Sequence, residues 1–137
     1  MSKAIDILAL YLHLARASEL RRRPHVHDRL LVLAGVIAAR MPLPRIAAYC
    51  RHKVLEHNPR HAVGRWPRLA DALEDPEFQS LLRSLQRRYP FEKAESMLVS
   101  LGIERGRERD AYYTDEEYAA ALLGVRFEIL AQMFGDA

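Results

Sequence analysis

Residues 28–40 read DRLLVLAGVIAAR, and whether this run is strand or helix decides the fold class. Val32, Val36 and Ile37 are β-branched and permit a strand. The run is nevertheless longer than a buried strand usually is, and Ala34, Ala38 and Ala39 favour a helix apolar on every side. Such a helix has no face for water and belongs in the middle of a core. Gly35 costs about 1 kcal/mol against alanine inside a helix, so its presence predicts a close crossing with a neighbour.

Working outward, the spacing predicts a first helix over Lys3 to Arg22 with Ser2 as its cap. Asp6, His13 and Arg16 form a narrow polar stripe, while Ile5, Leu8, Leu12 and Leu14 cover much of the rest. Pro24 breaks that helix and a second begins near Asp28. A third is expected over Pro44 to His57, ended by Asn58 and Pro59. A loop follows to Trp66, then a short helix opened by Pro67. Asp75 before Pro76 marks the next start, because a capping carboxylate precedes a residue with no N–H to satisfy. A sixth helix over Pro90 to Leu101 stops at Gly102. Thr114 and Glu117 set a capping box for a last helix from Asp115 to Phe134. The expected fold is all-α: a compact, single-domain bundle of six or seven helices over residues 1–137, with 104–113 as a mobile linker before the last.

Composition narrows the function classes. Half of the 137 residues are hydrophobic and 28% are charged, enough apolar content for one core without staples. Cys50 is the only cysteine, which excludes an internal disulfide framework. The first twenty residues interleave charge with apolar residues, unlike a secretory leader, and the longest uncharged apolar run is too short to span a bilayer. A cytoplasmic protein is expected. Charge is uneven: residues 1–65 hold 12 Lys and Arg against 4 Asp and Glu, a net +8, while residues 66–137 hold 9 against 14, a net −5. Such an asymmetry steers a polyanion to one face, or lets the two halves attract within a fold or across a dimer.

All six histidines, His13, His25, His27, His52, His57 and His61, lie in the first 61 residues. His25 and His27 with His57 and His61 have the donors for a tetrahedral zinc site, but the spacings match no standard pattern. The simpler reading is surface histidines beside arginines, with no metal or cofactor. Cys50 lies near His52 and His57, yet shares its helix side with Ala47 and Val54 and reads as a buried structural thiol. Arg21, Arg22, Arg23, His25, His27 and Arg29, with Arg51, His52 and Lys53, make a candidate polyanion surface. No phosphate loop, zinc finger or RNA-binding signature accompanies it. A helix-turn-helix reading puts Arg45, Tyr49, His52 and Lys53 outward on the third helix, after a turn burdened by two prolines. Trp66 between Arg65 and Arg68 is either a partner anchor or, more simply, a packed indole with an arginine stacked on it.

Nothing here forms a catalytic constellation. Three helices apolar over most of their girth are many for so short a chain, and some of that surface is expected to meet another subunit. The sequence therefore points to a non-enzymatic, self-associating interaction module, a homodimer in the first instance or a binder of another protein. The alternative is a nucleic-acid-binding protein using the basic half.

Overall fold

The computed structural model describes residues 3–135. Among them are eight α-helices, two short 3-10 turns and no strand, so the chain is an all-α bundle. Ser2, expected as the first cap, lies outside the described residues. The first helix, α1 (Ala4–Leu20), starts instead with the Asp6 carboxylate reaching back to the Lys3 N–H at 3.3 Å. The second, α2 (Pro24–Arg40), begins four residues before the expected start. Pro24 does not separate the helices by breaking one; it opens α2 at the position where a missing N–H costs nothing.

Next come α3 (Pro44–His57), with the expected bounds, α4 (Leu69–Ala72), α5 (Pro76–Arg88) and α6 (Phe91–Ser100). Asp75 caps α5 as its spacing predicts, its carboxylate accepting the Glu77 N–H at 2.9 Å. Gly102 (φ +73°) closes α6 and Ile103 folds back to bond the Leu98 carbonyl. The expected last helix is in fact two, α7 (Asp115–Leu123) and α8 (Phe127–Phe134). Gly124 takes a left-handed conformation, φ +74°, and Val125 N–H bonds back to the Ala120 carbonyl at 3.0 Å. That pattern ends a helix and redirects the chain.

The run that decides the fold is the centre of the core. Leu30 through Val36 are all buried, and α2 packs chiefly on α1 and α3 and also meets α4 and α5. Each of its large side chains contributes about 1.5–3 kcal/mol of burial. Gly35 marks the crossing: a Cβ there would lie 2.5 Å from Leu69 Cδ1 and 3.2 Å from Cys50 Cβ. The α1 helix is likewise enclosed, with Leu8, Leu10, Leu12 and Leu14 buried among α2, α6 and α7. Its Tyr11 hydroxyl donates to the Tyr89 carbonyl at 2.7 Å, tying α1 to the end of α5.

Two of the three apolar helices are therefore satisfied within one chain, and the third is divided. The charged stretch 104–113 contains a 3-10 turn, Glu108–Ala111. Arg105 donates to the Asp6 carbonyl at 2.9 Å, and Arg109 binds the Asp115 carboxylate at 2.6 Å. The opposite charges of the two halves meet inside the fold at Arg45, whose guanidinium grips Glu116 through two bonds of 2.6 and 2.9 Å.

Candidate functional site

Among the described residues, most of the candidate side chains collect in three places. The first is a buried polar centre where the end of α1, the start of α2 and the end of α3 meet. Opening α2 at Pro24 places His27 and Asp28 at the fourth and fifth positions of the helix. His57 is the last residue of α3. The Asp28 Oδ1 lies 3.0 Å from His27 Nδ1 and 3.0 Å from His57 Nδ1, so two imidazoles share one carboxylate oxygen. The rings stand 4.5 Å apart, tilted by 54°. His27 is 3% exposed and Asp28 6%, whereas the His57 side chain is 30% exposed.

Behind His27 the network continues. Its Nε2 faces Glu19 Oε2 at 3.7 Å, and Lys53 Nζ and Arg16 Nη1 flank that carboxylate at 3.7 and 3.6 Å. Burial pushes the His27 pKa down, against the pull of Asp28 and Glu19. His61 stands close enough to feel the Asp28 charge, but its Nδ1 accepts the Val63 N–H at 3.1 Å. One donor atom from each of His27, Asp28 and His57 lies within 4.8 Å of the other two, a donor set able to hold a cation or relay a proton.

The second place is a groove of about 340 Å³ between α3, α4, α8 and the end of α2. Its walls are small and apolar, with Ala39, Ala47, Ala48, Leu69, Ala70 and Phe134, and its rim carries Arg51, His52 and Arg68. The rim charges are largely engaged. Arg68 pairs with Asp71, His52 lies 3.8 Å from Glu56, and Arg51 donates to the Trp66 carbonyl at 2.9 Å. The third place is the α1–α2 turn, where Arg21, Arg22, Arg23 and His25 are exposed. Arg21 and Arg23 border a cleft of about 300 Å³ with Lys93, Ser96 and Ser100.

The candidate polyanion surface is thus split. Arg21, Arg22, Arg23 and His25 stay together, with the half-buried Arg29 further along α2. Arg51, His52 and Lys53 lie on α3. His27 leaves the surface altogether, because its side of α2 is pressed onto α1 and α3. Of the four proposed zinc donors, the structure brings together His27 and His57 with His61 nearby, and leaves His25 exposed. Asp28 and Glu19 complete the centre and carried no signal in the histidine spacing; the available clue was an acid adjacent to His27 at the head of a wholly apolar helix.

Other expectations are corrected by neighbours in space. Arg45 does not point outward from α3, since Glu116 and the Gly135 carbonyl hold it. Trp66 is half-buried, donates to Asp75 Oδ2 at 3.1 Å and meets Phe78 edge-on at 5.4 Å. The cations that do stand over rings are Arg45 on Phe127 and Lys93 on Tyr89, so the indole is held by an acid and a phenyl ring. Cys50 is the buried thiol that its helix side predicts; burial pushes its pKa up to about 12. It is no nucleophile at neutral pH.

Compared with protein families, curated proteins and solved structures, the chain finds no match. Among the described residues no helix is long and apolar enough to cross a membrane.

Proposed function

We propose that this chain is a non-enzymatic interaction module that pairs with a second copy of itself through the groove between α3, α4 and α8. The observation that carries the reading is α8. Its sequence, FEILAQMF, is mostly apolar, yet Leu130 is its only fully buried residue, Phe127, Ile129 and Phe134 are half-covered, and Met133 is 41% exposed. Part of the apolar surplus expected from the sequence thus lies on one short helix beside a groove lined largely by alanines, while Leu20, Val99 and Tyr113 are exposed singly elsewhere.

A two-fold contact suits this arrangement, because a self-complementary patch needs a projecting side chain and a recess on the same surface. Met133, exposed on α8, is the projecting side chain of the pairing, and Phe134 on the same helix lines the recess. The rim charges are partly offset for approach of a like copy, since Arg68 and His52 have acidic neighbours and Arg51 is tied down by backbone carbonyls. The reading includes a cytoplasmic setting, supported by a lone buried thiol with no disulfide partner.

Sedimentation equilibrium tests it. Because the patch is small, the dimer is expected to dissociate in the range of about 10–100 µM. Ala48→Arg, which places a charge in the groove wall, is expected to give only monomer with an unchanged circular dichroism spectrum. A wild-type chain that remains monomeric up to about 500 µM, well above that range, would sink the reading.

A further inference from the structure

We propose that His27 Nδ1, Asp28 Oδ1 and His57 Nδ1 form a binding site for a divalent transition cation of the zinc kind. The site is independent of the groove. Two imidazole nitrogens and one carboxylate are intermediate donors, suited to zinc, cobalt or nickel rather than to magnesium or calcium, which take all-oxygen shells. Zinc bonds nitrogen and oxygen at about 2.0–2.2 Å, so neighbouring ligands in a tetrahedral shell stand about 3.3–3.5 Å apart. Asp28 Oδ1 already stands 3.0 Å from each Nδ1. The two Asp28–histidine edges need lengthen by only a few tenths of an ångström, while the two imidazoles, whose donor atoms lie within 4.8 Å of one another, close on the cation by side-chain rotation.

Hydrogen bonding alone explains those distances equally well; what separates the two accounts is the far side of His27. If the neutral ring keeps its proton on Nδ1 for Asp28, the Nε2 lone pair is left facing the Glu19 carboxylate at 3.7 Å. If the ring is doubly protonated, each N–H faces a carboxylate, Asp28 at 3.0 Å and Glu19 at 3.7 Å, and a full charge is held at a site only 3% exposed. A cation on Nδ1 removes the conflict, because the proton then sits on Nε2 and points toward Glu19. A carboxylate on the second nitrogen of a ligating histidine is the usual device for fixing its tautomer and raising its basicity. Glu19 is itself held by Lys53 and Arg16.

The neighbours define the rest. His61 is not a ligand in this arrangement, since its Nδ1 is occupied by the Val63 N–H and its proton therefore lies on Nε2. His25 is exposed two positions from His27, on another side of α2. The partly exposed His57 provides the way in from solvent, and three protein ligands leave at least one coordination position for water.

The test is titration of the full-length, tag-free chain with zinc by calorimetry at pH 7.5, and with cobalt by visible absorption. Wild type is expected to bind one ion at micromolar or tighter affinity, with intense cobalt bands of tetrahedral character. His57→Ala, at the end of a helix and partly exposed, is expected to weaken binding at least tenfold while keeping the helical spectrum. Glu19→Gln is expected to weaken it about 10–100-fold through His27. His25→Ala and His52→Ala are expected to change nothing. Absence of a calorimetric signal at 100-fold excess zinc, or equal binding by wild type and His57→Ala, would overturn the proposal. So would loss of binding in His25→Ala, which would assign the ion to surface histidines.

Discussion

Arg22 shows how much one backbone angle decides. It ends α1 with φ +57°, the only positive φ among the described non-glycine residues. Arg23 N–H bonds the Ser18 carbonyl at 2.9 Å and Arg22 N–H bonds the Glu19 carbonyl at 3.0 Å, a paired closure that normally uses glycine. The three arginines read in sequence as cations placed for the helix dipole, and nothing in their side chains discloses that one is left-handed. Arg22→Gly is expected to stabilise the fold by about 0.5–1 kcal/mol, the steric relief being partly offset by a freer unfolded chain. Urea denaturation of the two proteins checks it. The same limit applies to the polar centre. Histidine clustering was visible in the sequence, but which histidines meet depends on how three helix ends converge, and residue spacing cannot report that.

At the scale of elements, punctuation by proline and glycine was legible where the residue's two meanings coincide. Pro44 and Pro76 open helices as expected, whereas Pro24, directly after a long helical run, reads in the sequence as a stop although it opens α2. Gly124 gives no such signal in the sequence, since apolar residues continue on both sides of it and mask the change of direction. Gly35 was read correctly as a crossing, and the contact distances show what it permits. Gly35→Ala gains helix propensity of about 1 kcal/mol but forces Leu69 and the Cys50 Cβ apart at the α2–α3–α4 junction. The flexible end of Leu69 can yield; a Cβ anchored to the α3 backbone yields poorly. A net destabilisation of about 1–2 kcal/mol is expected, visible as a lower thermal midpoint.

For the molecule as a whole, the class of fold was legible because helix periodicity is local, while the packing partners of each helix were not. Surface and interior histidines look alike in sequence, and their burial sets a property of the entire fold. Burial lowers the pKa of His13, whose Nε2 is enclosed without a hydrogen-bond partner near Glu108 and Arg105, and of His61 beside Asp28. Both are neutral-preferring in the fold and ordinary in the unfolded chain. As pH falls through the ordinary value near 6.5, the unfolded state takes up protons that the folded state refuses. Their contribution is therefore fully present above pH 6.5 and declines below it, down to the lower folded values. The urea midpoint is expected to be lower at pH 5.5 than at pH 7.5, and His13→Leu is expected to shrink that difference. An unchanged difference in His13→Leu would exclude it as a source.

The central helix is complete by residue 40, and its main neighbours are the helices immediately before and after it. During synthesis the middle of the core emerges directly after α1 and can close against it at once, before the later helices have been made. Contacts between consecutive segments carry a small loop-closure cost and favour rapid folding. The greasiest part of the chain is thereby sheltered by its own predecessor while the acidic half is still being made.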